Sequence, residues 1–154
     1  MGNACCVTKE LVVSCKNEVG ALARATMPLK QNNINIECLV CYQEGSNNAK
    51  LHFITNNNKK AKELLTNNKL NVTENEVVCW TTPNTPGTLS AATSALAEGK
   101  IDIQYCYTSA PQHSDAQCVV FCTNNNTKAN EILGKCCGSG SGAKGGMKGT
   151  SCCG

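Results

Sequence analysis

The sequence predicts an α+β fold built from two βαββαβ units packed together, with a glycine- and cysteine-rich C-terminal tail. Three observations predict it. The chain repeats itself: F-I-T-N-N-N-K-K-A-K-E-L-L from Phe53 returns as F-C-T-N-N-N-T-K-A-N-E-I-L from Phe121. Upstream, Gly20 matches Gly87, Leu22 matches Leu89, Ile34 matches Ile101 and Ile36 matches Ile103, at a spacing one residue shorter. That extra residue belongs in a loop, near 44–48 or 109–115. Within each copy, strand-like runs and helical stripes follow in the same order. Residues 134–154, GKCCGSGSGAKGGMKGTSCCG, have the composition of a flexible chain. The expected organisation is an N-terminal segment 1–10, a first unit 11–75, a second unit 76–133 and a tail 134–154.

Leu11 to Cys15 and Glu76 to Trp80 are β-rich runs. Asn17-Glu18-Val19-Gly20 and Asn84-Thr85-Pro86-Gly87 are turn material. Helices follow. Leu22, Ala25, Met27 and Leu29 fit one helical face roughly, and Pro28 is expected to bend or shorten that helix. Leu89, Ala92, Thr93 and Leu96 form a cleaner stripe. Asn32-Asn33 and Gly99 are expected to close the two helices. Ile34 to Tyr42 and Ile101 to Thr108 read as strands, as do Lys50 to Thr55 and Gln117 to Thr123. The triple asparagines open second helices, Lys59 to Leu65 and Lys128 to Leu133, with Asn as cap. Asn71 to Trp80 returns as a strand that closes the first unit and leads directly into the second. A long strand shared between units is the economical solution. The order in each copy is the split βαβ, or ferredoxin-like, arrangement. After Leu133 no strand-like run remains, so the second unit lacks its last strand unless Val7 to Val13 or a partner chain supplies it.

Composition excludes several functions. The net charge of +3, with a single arginine at Arg24, gives little electrostatic attraction for nucleic acid. No run approaches the roughly 18 apolar residues of a membrane helix. Met1 to Val7 is too short for a secretion signal, so a cytoplasmic location is expected. His52 and His113 are the only histidines, and neither has the sequence neighbours of a catalytic triad. Neither a phosphate-binding loop nor a dinucleotide fingerprint is present. The expectation is a protein that is not an enzyme.

A βαββαβ unit with N-x-P-G-x-L at its first strand-to-helix turn resembles the ACT domain, a small amino-acid-sensing regulatory module. Asn84-Thr85-Pro86-Gly87-Thr88-Leu89 carries that motif, and Asn17-Glu18-Val19-Gly20-Ala21-Leu22 is its first-copy version, with Val19 in place of proline. Asn33 to Ile36 and Lys100 to Ile103 stand where the family starts its second strand. The resemblance spans Leu11 to Leu133 and is greatest to free-standing tandem pairs of ACT units. It implies ligand-binding residues Asn17, Glu18, Val19, Gly20, Leu22 and Asn35 in the first unit. In the second it implies Asn84, Thr85, Pro86, Gly87, Leu89 and Asp102. The chemistry agrees: a glycine between strand and helix leaves helix N–H groups and the helix dipole facing a carboxylate, while Asn oxygens suit an ammonium. The same residues also read as plain structure, glycine for positive φ and Asn as helix cap.

Thirteen cysteines is an odd count, which argues against a complete disulfide framework. Cys15, Cys38, Cys41, Cys79, Cys106, Cys118 and Cys122 lie in apolar strand-like runs and read as small buried hydrophobes. Cys38 and Cys41 fall on opposite faces of a strand. The other six form the doublets Cys5-Cys6, Cys136-Cys137 and Cys152-Cys153. Adjacent thiolates suit Cu(I), another soft metal or a cluster better than tetrahedral zinc, although a weakly constrained tail explains the last two doublets equally simply. The first residues, M-G-N-A-C-C, also resemble an acylation signal faintly. The expected function is non-catalytic binding of a small-molecule amino acid by a regulatory protein, with no nucleic-acid or membrane partner and with open sheet edges favouring a homo-oligomer. The alternative is a cysteine-rich assembly protein whose thiols bind soft metal or crosslink subunits.

Overall fold

Alternation along the strands sorts the residues of each unit onto two faces. The chain folds as β1 (Ala4–Lys16), α1 (Ala21–Gln31), β2 (Ile36–Glu44), β3 (Asn48–Thr55), α2 (Asn58–Asn67), β4 (Asn71–Pro83), α3 (Thr88–Glu98), β5 (Ile103–Ser109), β6 (Ala116–Thr123) and α4 (Asn126–Cys136). This comes from a computed structural model, which describes residues 4–109 and 115–136.

Two compact units result. The first holds Lys9–Asn75; the second holds Glu76 onward together with the residues up to Thr8. Both β1 and β4 are 13 residues long, and each passes from one unit to the other near its middle. In the first unit the strand order is β2-β3-β1 followed by the opening of β4. In the second it is β5-β6-β4 followed by the opening of β1. Ala4–Thr8 thus stands where the second unit otherwise lacks a strand, and Cys5 packs against that unit's core. Residues 1–10 are expected to stand apart, with Val7 to Val13 or a partner chain supplying the missing strand, whereas Ala4–Thr8 of the same chain supplies it. The sequence does not announce that strand, because Ala4–Thr8 is short and cysteine-bearing, with no alternation of its own.

The two cores are built from matching positions. Leu11, Val13, Ala25, Leu29, Leu51, Phe53, Ala61 and Leu65 form the first. Val78, Trp80, Ala92, Leu96, Val119, Phe121, Ala129 and Leu133 form the second, with Ile101 added. The register pairs Leu11 and Leu39 with Phe53, and Val78 and Cys106 with Phe121. A register shift falls between Ile36 and Cys38 and again between Ile103 and Tyr105, so even the irregularity is duplicated. Burial is the main source of stability here.

Each asparagine of the two triplets does a different job. Asn56 Oδ1 accepts the Asn35 N–H at 3.1 Å and Asn124 Oδ1 accepts the Asp102 N–H at 3.1 Å, tying each triplet to the start of the second strand. Asn57 caps α2 through the Lys60 N–H, and Asn125 caps α4 through the Lys128 N–H, both at 3.0 Å. Asn58 Oδ1 accepts the Thr55 N–H and O–H, and its Nδ2 donates to the Lys9 carbonyl at 2.6 Å. Asn126 repeats this with Thr123 and the Glu76 carbonyl, at 2.7 Å. Lys9 and Glu76 are the residues at which β1 and β4 enter their second unit.

One expectation about helix ends changes. Pro28 does not shorten α1, which runs on to Gln31 with Pro28 and Leu29 buried. Proline removes one helical donor, and Asn32 Nδ2 donates to the Pro28 carbonyl at 3.0 Å in the last turn. Gly99 is the C-cap that closes α3, as expected, and the left-handed residue is the next one, Lys100 (φ 58°). A Cβ at Gly99 would require the tip of the Ile132 side chain of α4 to shift. Asn33 and Lys69 end α1 and α2 in the same left-handed way, each followed by an apolar residue that packs on its core.

Two outcomes test this layout. Asn58→Ala and Asn126→Ala each lower stability by about 1–3 kcal/mol in chemical denaturation, since a strand carbonyl and a threonine lose their partner, whereas Asn57→Ala costs about 1 kcal/mol as a lost cap. A chain starting at Lys9 moves the fluorescence transition of Trp80, the single tryptophan, to lower denaturant. An unmoved Trp80 transition contradicts the placement of Ala4–Thr8.

Candidate glycine-turn ligand sites

Both strand-to-helix turns end on a glycine in the left-handed region: Gly20 with φ 87° and Gly87 with φ 90°. A side chain at either position would meet no atom within 4 Å, so the backbone conformation alone selects glycine. The Ala21 N–H bonds to the Glu18 carbonyl at 3.1 Å, and the Thr88 N–H to the Thr85 carbonyl at 3.3 Å. No side chain caps α1 or α3. The next first-turn N–H groups, at Leu22 and Ala23 and at Leu89 and Ser90, precede the reach of the helical ladder. By contrast α2 and α4 are both asparagine-capped.

The first turn borders a pocket of about 500 Å³ lined by Asn17, Glu18, Gly20, Leu22, Cys41, Tyr42, Gln43 and Leu51, with Ala21, Ala23 and Ala49. Its floor is apolar and its rim polar. Gln43 Nε2 donates to the Gly45 and Ser46 carbonyls, so its Oε1 makes neither of those bonds. Glu18 is held by Arg24 at 2.6 Å in an exposed pair, a contact of modest energy. At the second turn the matching contact is neutral, Thr85 Oγ1 to Thr88 Oγ1 at 2.9 Å. Val19 is fully exposed and Leu89 is 44% exposed at the turns.

The structure therefore brings together Asn17, Glu18, Gly20 and Leu22. Asn35 lies elsewhere, in a pocket of about 540 Å³ with Met27, Lys30, Ile34 and Ile36, on the other end of α1. The two pockets share Ala23. Asn84, Thr85, Pro86 and Gly87 form the second turn, while Asp102 follows α3 at its far end, where its N–H bonds to Asn124. Eleven helical residues separate glycine from strand start in both units.

Of the cysteines read as metal ligands, Cys5 and Cys6 lie on β1 and Cys136 ends α4. Cys6 is disulfide-bonded. Cys137, Cys152 and Cys153 fall outside the described residues, as does His113. Among the described residues no group of three or more His, Cys, Asp or Glu side chains is arranged to hold a metal ion. Also among them, no helix is long and apolar enough to cross a membrane. Cys38 is buried and Cys41 exposed, on opposite faces as their spacing requires.

One constellation was not visible in the sequence. His52 of β3 sits opposite Val12 of β1 and Val40 of β2, on the face away from the helices. Its Nδ1 lies 2.8 Å from Glu10 Oε1, with both side chains buried. Its Nε2 lies 3.3 Å from the Tyr42 hydroxyl, and the two rings stack at 5.5 Å. Burial pushes the Tyr42 phenol above its ordinary pKa of 10.0, and the charges of Glu44 and Glu10 add to that. Strand pairing brings together residues 42 positions apart. Only a register assigned in advance exposes such a pair.

Comparison with known proteins follows this geometry. Residues 7–136 match the family model of the ACT domain pair. Protein BT0572 from Bacteroides thetaiotaomicron is 28% identical, with a TM-score of 0.77, covering 85% of this chain and 89% of that one. The ligand-free regulatory subunit of aspartate kinase from Thermus thermophilus shares the fold at 13% identity and a TM-score of 0.63, covering 88% and 97%. Clostridium acetobutylicum aspartate kinase shares it at 14% identity and a TM-score of 0.55, covering 88% of this chain and 34% of that one. No curated protein matches the chain. Two duplicated units, each with a glycine turn opening an uncapped helix, and a family match across nearly all the described residues place this chain in the ACT domain pair family.

Proposed function

We propose that the chain is a non-catalytic sensor that binds an amino acid at its glycine turns and transmits occupancy as a regulatory signal. The observation that carries this reading is the contrast between helices. In a chain that caps α2 and α4 with asparagine, α1 and α3 open on glycine and keep their first-turn N–H groups for another partner. A carboxylate is the partner that N–H groups and helix dipole favour. In the first unit the ligand's ammonium faces the oxygens of Asn17 and Gln43, and its side chain faces Leu22, Ala49 and Leu51. That lining suits a small or apolar amino acid. The second turn offers the same backbone with a neutral threonine pair in place of Glu18 and Arg24, so the two sites differ in charge. Regulatory proteins among the structural neighbours support the reading. β2 and β5 each have a single neighbour in the strand order, and self-association through these edges is part of the proposal.

A thermal-shift panel of the common amino acids tests it. One or a few amino acids stabilise the protein, by about 2.7 kcal/mol at a hundredfold excess over Kd. Their carboxamide analogues do not, because the helix no longer meets a negative charge. A panel in which no amino acid acts, or in which carboxamides act equally, refutes the proposal. Gly20→Ala lowers the stability of the free protein by about 1–2 kcal/mol through the left-handed backbone alone. It also weakens whatever binding the panel finds at the first site.

A further inference from the structure

The pocket beside Gly20 has one wall that needs explaining. Cys41, Tyr42 and Gln43 belong to β2, which has β3 as its single neighbour in the strand order. They also precede the hairpin that joins Glu44 to Asn48. A strand end held on one side beside a turn is where local opening is easiest. Cys41 pairs with Leu51 and Gln43 with Ala49, so these residues share the pocket's face. Tyr42 also borders the pocket, while its ring meets His52 on the opposite face of the strand.

We propose that Glu10 and His52 are positioning residues that clamp Tyr42 from behind and thereby hold the β2 wall of the ligand pocket, a role that rests on the amino-acid-sensor reading. The clamp crosses three strands. Glu10 Oε1 lies 2.8 Å from His52 Nδ1, and His52 Nε2 lies 3.3 Å from the Tyr42 hydroxyl. His52 Nδ1 faces the Glu10 carboxyl and Nε2 faces the Tyr42 hydroxyl, so a proton on Nδ1 bonds the ring to Glu10 while the hydroxyl, which can donate or accept, bonds Nε2. The carboxylate and imidazole have no exposure to speak of, with side chains 0% and 3% accessible. A polar pair is costly to bury unless its bonds are made, so its geometry is stiff. Tyr42 itself is 44% exposed. Its ring is thus a half-exposed lever with one end fixed in a rigid polar core. The diagonal reach from β3 to β1 and to β2 is what neighbouring strands permit to long side chains. In the matching position of the second unit, Phe53 being equivalent to Phe121, His52 corresponds to Val120. The clamp is therefore a feature of the first unit alone.

The test uses the full chain and its Tyr42→Ala, Tyr42→Phe and Glu10→Ala variants. Tyr42 is half exposed on an edge strand, so its variants keep the fold even where Glu10→Ala does not. In the native chain, nitrogen NMR finds a proton on His52 Nδ1. Amide hydrogen exchange at residues 41–44 speeds up about tenfold in Tyr42→Ala, as expected for loss of a contact worth one decade in an opening equilibrium. Tyr42→Phe, which keeps the stack and loses the hydroxyl, falls between. Each of the common amino acids is then titrated calorimetrically. Any that binds the native chain at the first site shows a Kd raised about tenfold in Tyr42→Ala. A bare Nδ1, or unchanged exchange at residues 41–44, overturns the clamp. Amino-acid binding that Tyr42→Ala leaves unaltered overturns its role in the pocket while the sensor reading stands. If no amino acid binds, the sensor reading falls, and the exchange and nitrogen measurements still decide the clamp.

Discussion

The fold depends on two strands that are too long for one unit. β1 and β4 each run for 13 residues, and each serves as an inner strand in one unit and as a closing strand in the other. A single βαββαβ unit of this size buries little apolar surface. Its sheet also presents an edge on either side. Letting each long strand continue into a second unit closes one edge of each sheet with chain that is already ordered. It also removes the need for a strand after α4. The glycine turns follow directly from this arrangement, because each long strand ends at the turn that leads into α1 or α3.

The asparagine triplets show how the duplicated design is locked. One residue ties the triplet to the start of the second strand, one caps the following helix, and one reaches the carbonyl where a long strand enters its unit. The second triplet repeats all three contacts. Such side-chain-to-backbone bonds leave few buried groups unsatisfied. They also make the uncapped starts of α1 and α3 conspicuous. Where this chain needs a helix closed at its N-terminus, it has the residue to do so, and at the glycine turns it does not use it.

Much of this was legible in the sequence because it was written twice. The repeat of F-x-T-N-N-N set the unit boundaries, and the matching of Gly20 to Gly87 located both turns. What stayed hidden had no local pattern. Ala4–Thr8 is too short and lacks the apolar/polar alternation that would announce a strand. Glu10 and His52 meet only through strand register. Asn35 and Asp102 were grouped with the glycine turns by sequence motif, whereas a helix of 11 residues separates them within each unit.

Charge distinguishes the two halves more than shape does. The first unit carries Glu18 with Arg24 at its turn and Glu10 with His52 beneath its sheet, where the second has a threonine pair and Val120. Duplication thus kept the cores and turns while the polar surroundings diverged. The shared long strands remain the premise of the whole account, and amide hydrogen exchange at residues 4–8 tests them most directly. The account predicts protection there comparable to that of residues 76–80 in the middle of β4. Exchange at the rate of an open chain end would contradict it.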